Sequence, residues 1–201
     1  MIPFQEQKTD NAIAYFASGY KARTGSYPFQ MWLYKALALL DFTILREKGT
    51  PCLGLDYEAM NMGPVPVNFY FAVRNGRPPV GKKYQFVLLP DMKAHVENTS
   101  EPDLDYFSDS EIDTMDDILD KFSVGSGDID ALIDRTHEGI RAWKTAWALA
   151  NKNNRRRMEM NYSDEFEGLL EKDEKDLTPQ EERFICYMEM VSKEKALIEI
   201  Q

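Results

Sequence analysis

Residues 28–49 read PFQMWLYKALALLDFTILREKG. Leu33, Leu37, Leu40 and Ile44 recur at helical spacing, which predicts an α-helix opened by Pro28 and closed by Gly49, Thr50 and Pro51. Its length and apolarity make it the expected centre of the fold. Gln30, Lys35 and Asp41 interrupt the apolar run, and in a bilayer they would place charge at hydrocarbon depth. The stretch is therefore predicted to be a buried core helix and not a membrane span.

Upstream, Ile13, Phe16, Ala17 and Tyr20 share one face of a first helix, with Thr9 or Asp10 as its cap and Gly25 as its stop. Downstream, Leu53, Leu55 and Tyr57 alternate as in a short half-buried strand. MNMGPVPVNFY at 60–70 follows, an uncharged turn where a surface loop would be polar. Val67 to Val73 is predicted as a short helix. Tyr84 to Leu89 and Lys93 to Glu97 flank Pro90 and Asp91 as a hairpin. Ser108 and Glu111 form a capping box for a helix whose Ile112, Met115, Leu119 and Phe122 line one face up to Gly125 and Gly127. A short helix, 128–135, then leads through Thr136, His137 and Gly139 to Ile140, Trp143, Trp147 and Ala150.

Composition shifts at NKNNRRRM, 151–158, where a boundary is expected between a domain over 1–150 and an extension over 151–201. In the extension, Thr178, Pro179 and Glu181 cap a last helix. Its Phe184, Met188, Val191 and Ile198 make an apolar stripe that must bury itself on this domain, a second copy or another protein. The expected fold is mainly α (α+β): a compact helical domain with a small β-hairpin or short sheet, plus a C-terminal helical extension.

With 43% apolar and 12% aromatic residues, the 201-residue chain can bury one real core. A net charge of -10 repels phosphate backbones and anionic lipid, so nucleic acid and membrane surfaces are poor default partners. MIPFQEQKTD lacks a basic segment followed by an apolar one, which points to the cytosol. Cys52 and Cys186 are too few for a disulfide framework.

Two histidines, His95 and His137, remove most metal and triad designs, and no zinc spacing is present. There is no G-x-x-x-x-G-K-[ST], no G-x-G-x-x-G and no G-x-S-x-G. No cofactor or metal is expected. The acids around 105–117 lack the spacing and central glycine of an EF-hand and read as a solvated helix face. Arg155, Arg156 and Arg157 read as a solvated linker or as intramolecular partners of the acidic stretches. His137 and Glu138 could be a base and its partner, or a polar helix junction. Trp143 and Trp147, at i and i+4, pack in the core or anchor a partner.

PFQMWLYKALALLDF followed by GPVP and Tyr70, then FSDSEIDTMDDILDKFSVGSGDIDALIDRTHEGIRAWKTAW at 107–147, resembles the Panacea domain family, which includes SocA-like antitoxins and phage-associated GepA proteins. The resemblance covers residues 9–150. Gly63, Pro64 and Val65 match the family's Gly-Pro-Val, Tyr70 its following tyrosine, Thr136 and His137 its Thr-His pair, and Trp143 its tryptophan. Ala142 stands where the family commonly has proline. The resemblance implies an antitoxin, not an enzyme, that neutralises a cognate toxin by binding it, with a protease as a further partner if the toxin is delivered for degradation. The turn itself either presents a surface or simply packs Val65, Val67 and Tyr70 under the strand. A second copy of the chain is a further candidate partner; the alternative functions are a small hydrolase or transferase centred on His137 and a DNA-binding autoregulator, which needs a basic face that charge counting does not supply.

Overall fold

The computed structural model describes residues 2–123 and 129–198, so Gly125 and Gly127, expected to stop a helix, lie outside the described residues. The apolar run forms α2 (Gln30–Lys48), in which every residue from Trp32 to Phe42 is buried. Gly49 ends it in the left-handed conformation at φ 80°, donating to Leu45 O at 2.7 Å. A helix buried on all sides needs neighbours on all sides. Around α2 lie α1 (Gln5–Thr24), α4 (Asp109–Phe122), α5 (Ile129–Gly139) and α7 (Pro179–Ile198), with a strand packed on its remaining face. Among the described residues there are seven α-helices and two small antiparallel sheets, the mainly α arrangement expected.

β1 (Tyr57–Met60) and β2 (Gly63–Pro66) form a tight hairpin with Met60 opposite Gly63. α3 (Val67–Arg74) follows directly. β3 (Tyr84–Leu89) and β4 (Lys93–Asn98) make the second hairpin, in the predicted place. α6 is Arg141–Lys152, and β5 (Arg157–Glu159) completes the first sheet in the order β2-β1-β5.

Three local expectations are corrected. α1 begins at Gln5, so Thr9 and Asp10 lie inside it and cap nothing. Asp10 Oδ2 instead accepts from Lys82 N at 3.0 Å, tying the helix to the approach to β3. Leu53 and Leu55 are not in a strand, which starts only at Tyr57. Their N–H groups, with that of Gly54, donate to the buried Asp41 carboxylate of α2 at 2.5, 3.1 and 3.3 Å, leaving none for a ladder. Thr136 and His137 lie within α5 and not between helices, the break falling at Ile140.

The capped starts of α4 and α7 follow the sequence. Ser108 N donates to Glu111 Oε2 at 2.8 Å, and Thr178 N to Glu181 Oε2 at 2.8 Å. Past Lys152 the chain returns to the core. Met158 in β5 pairs with Ala59, Tyr162 OH donates to Leu55 O at 2.7 Å, and Phe184 and Tyr187 of α7 are buried. Met188 and Val191 are partly buried against the same cluster, whereas the side chain of Ile198 lies outside the described ones. Among the described residues no helix is long and apolar enough to cross a membrane, and no group of three His, Cys, Asp or Glu gathers as a metal site.

Candidate functional site

Gly63 sits at φ 93°, a conformation that disfavours any L side chain. A Cβ there would lie 2.8 Å from Thr136 Oγ1, 3.1 Å from Lys35 Cε and 3.4 Å from His137 Nε2. Backbone conformation and space both demand glycine, so α2, α5 and the β1–β2 hairpin approach one another at this point. Pro64, Val65 and Pro66 are buried beside it. The two prolines hold φ without offering N–H donors that would need partners.

Lys35 is 1% exposed, and its Nζ donates to Pro64 O at 2.9 Å. Burial drives its pKa down from 10.5 to about 7. The unfolded chain therefore holds one more proton than the folded chain between about 7 and 10.5. The penalty for burying the ammonium is fully present below that window and is relieved as pH rises through it. Unfolding free energy, read by urea denaturation, is expected to rise with pH there by up to about 1.4 kcal/mol per unit relative to Lys35→Met. Parallel pH profiles for the two proteins would show that Lys35 titrates normally.

Thr136 Oγ1, fully buried, donates to Ile133 O at 2.7 Å. One residue on, the His137 ring stacks on Trp143 with centroids 3.8 Å apart and planes 8° from parallel. Its Nε2 is buried with no hydrogen-bond partner among the described residues. Burial first, then the Lys35 charge, lowers the His137 pKa, against an opposing pull from Asp134. The imidazole is thus held neutral at ordinary pH. Trp143 Nε1 donates to Met60 O at 3.1 Å, clamping α6 to the end of β1, and Trp147 stacks on Trp143 at 6.2 Å.

Six of the seven motif residues, Gly63, Pro64, Val65, Thr136, His137 and Trp143, thus meet in one cluster. Tyr70, the seventh, stands apart on α3, where its hydroxyl accepts from Arg74 at 2.8 Å. It faces a cleft of about 1040 Å³ that also takes Val65 and Lys35 into its lining. α2 lends this cleft Gln30, Met31 and Tyr34, the approach to β5 lends Arg155 and Arg156, and β5 itself lends Arg157. Buried Gln30 Oε1 and Tyr34 OH in its lining have no hydrogen-bond partner among the described residues, and Glu58 Oε2 has an ion pair with Arg157 in place of a hydrogen bond.

The sequence does not mark Lys35 and Tyr34 as site residues, although a lysine inside an otherwise apolar helix is the available signal. Nothing local in Arg155–Arg157 announces that the run lines a cleft. Arg157 contacts Glu58 of β1 at 3.5 Å and lies over the Phe71 ring at 4.6 Å, so its partners are distant in sequence and not the neighbouring acidic stretches.

No curated protein and no solved structure matches the chain. The family described as "Antitoxin SocA-like, Panacea domain" matches residues 33–144, which take in most of α2, both hairpins, α3, α4, α5 and the start of α6. That match holds more than half of the chain and every residue of the cluster around Gly63, and the protein belongs to the SocA-like Panacea domain family of antitoxin-like proteins.

Proposed function

We propose that the protein neutralises a cognate toxin in the cytosol by binding it directly, with no chemical step, and that the surface beside the Gly63 cluster is where the toxin docks. One observation carries this reading: the motif residues are spent on packing one another. Gly63, Pro64, Val65, Thr136 and Trp143 are buried, and His137 is covered on one ring face by Trp143. Glu138, the partner a His137-centred hydrolase or transferase would recruit from next door, is exposed. Such a cluster holds a surface rigid, which lowers the entropy lost on binding.

The surface it holds is apolar in places. Met31 is 39% and Met62 45% exposed on the cleft lining, and Phe29 is 57% exposed at the start of α2. Methionine and aromatic side chains adapt to and anchor partner surfaces. The chain's negative charge speeds association with a basic toxin. Delivery of the bound toxin to a protease is a further step of the same reading.

Co-expression with the product of the adjacent gene tests it. Growth should be restored, and the two proteins should co-purify as a complex. A Met31→Glu/Met62→Glu variant should keep its fold and lose about tenfold or more in affinity. Neither rescue nor complex formation with an intact adjacent gene, or substrate turnover by the purified chain alone, would overturn the proposal.

A further inference from the structure

The cleft has features that docking a protein on its rim does not use. In a chain of net charge -10, its lining carries Lys35, Arg74, Arg155, Arg156 and Arg157 against only Glu58 and Glu159. Arg157 is committed to Glu58 and the Phe71 ring, and Arg74 to the Tyr70 hydroxyl. Arg155 and Arg156 are exposed, and no ion pair to either is found among the described residues. Asn154, at φ 52°, turns the chain between α6 and this run.

The second observation is independent of that charge. Tyr34, 2% exposed, lines the cleft with a hydroxyl that has no hydrogen-bond partner among the described residues. Burying such a group unpaired costs on the order of 1–3 kcal/mol. Burial pushes its pKa upward, so the hydroxyl stays protonated and able to donate. Lys35 Nζ, its neighbour in sequence, makes one bond, to Pro64 O, and retains donor capacity. An acceptor-rich ligand would satisfy both.

We propose that this cleft binds the phosphoryl group of a small molecule, held by Arg155 and Arg156 and reaching toward Tyr34 and Lys35. Guanidinium groups engage phosphate oxygens bidentately, and a phosphoryl group offers more acceptor positions than a carboxylate. The half-buried Tyr70 and Phe71, with Met60 and Met158, give a planar or apolar remainder of the ligand a wall to lie on. A nucleic-acid polymer would meet the repulsion of the whole chain, whereas a small ligand meets only the basic lining. This inference goes beyond toxin neutralisation and does not depend on it.

Isothermal titration of the full chain with inorganic phosphate, with AMP and with adenosine tests the proposal and separates free phosphate from a nucleotide as the source. Saturable binding of phosphate or AMP is expected, with adenosine weaker by about tenfold or more. Comparable affinity for phosphate and AMP assigns the site to the phosphoryl group alone; tighter AMP assigns it to a nucleotide. Arg155→Ala/Arg156→Ala, which alters exposed side chains only, should weaken binding by about tenfold, and Tyr34→Phe by about threefold, without loss of the thermal transition. No binding of phosphate or AMP, AMP affinity indifferent to the arginine pair, adenosine as tight as AMP, or a single-stranded oligonucleotide tighter than AMP would each overturn it. Because the titration uses the isolated chain and toxin rescue is scored in cells, either result can fail without the other.

Discussion

Asp41→Ala is expected to destabilise the protein by about 3–5 kcal/mol, read as a drop in the urea midpoint by tryptophan fluorescence. The carboxylate is fully buried and accepts from Leu53, Gly54 and Leu55 N–H, from Tyr57 OH at 3.0 Å and from Tyr162 OH at 3.2 Å. Alanine would leave the three backbone N–H groups and the Tyr57 hydroxyl without this acceptor at once, whereas Tyr162 OH would keep Leu55 O at 2.7 Å. Burial raises the Asp41 pKa while the three backbone donors pull it back, so the network pairs the group as fully as its site allows. Asp41→Asn keeps one acceptor oxygen and should cost less than alanine. A loss under about 1 kcal/mol for alanine would mean that water replaces the carboxylate and that the segment before β1 is held by other contacts.

The second large effect is expected at Gly63. Gly63→Ala should cost about 2–4 kcal/mol, combining an L residue at positive φ with a Cβ forced against Thr136 and Lys35. Gly76→Ala provides the comparison, since Gly76 also has positive φ, 68°, but no atom within 4 Å of an added Cβ. It should pay only the conformational cost, about 1 kcal/mol. Equal losses at the two positions would remove the close approach of α2, α5 and the hairpin as the reason for glycine. If the cluster supports the docking surface, Gly63→Ala should also weaken toxin neutralisation at temperatures where the variant stays folded, and Gly76→Ala should not.

Asp41 and Lys35 explain together why α2 carries charge at all. Six residues apart, they project about 120° apart around the helix. Asp41 captures the chain just before β1, and Lys35 captures the carbonyl of Pro64 in β2. A purely apolar α2 would bury as much surface and leave the hairpin with no fixed place against it. Both residues are visible in the sequence as interruptions of an apolar run, but their partners lie 12 and 29 positions away. That distance is why the interruptions argue against a membrane span without saying what they hold.

The same division runs through the rest of the molecule. Within a span of about four residues the sequence determines its own structure, because caps and stops are settled by neighbouring atoms. Gly25 and Gly49 end helices, Ser108 with Glu111 and Thr178 with Glu181 begin them, and Pro90 with Asp91 marks the bend of the β3–β4 hairpin. Tertiary structure decided wherever a polar group found a stronger partner far along the chain. Asp10 gave up a cap for Lys82, Leu53 and Leu55 gave up a strand for Asp41, and Met158 carried the chain beyond the arginine run back to Ala59. The cleft lined by Lys35, Tyr70 and Arg155–Arg157 exists only because three segments distant in sequence are brought together, and no local pattern encodes that meeting.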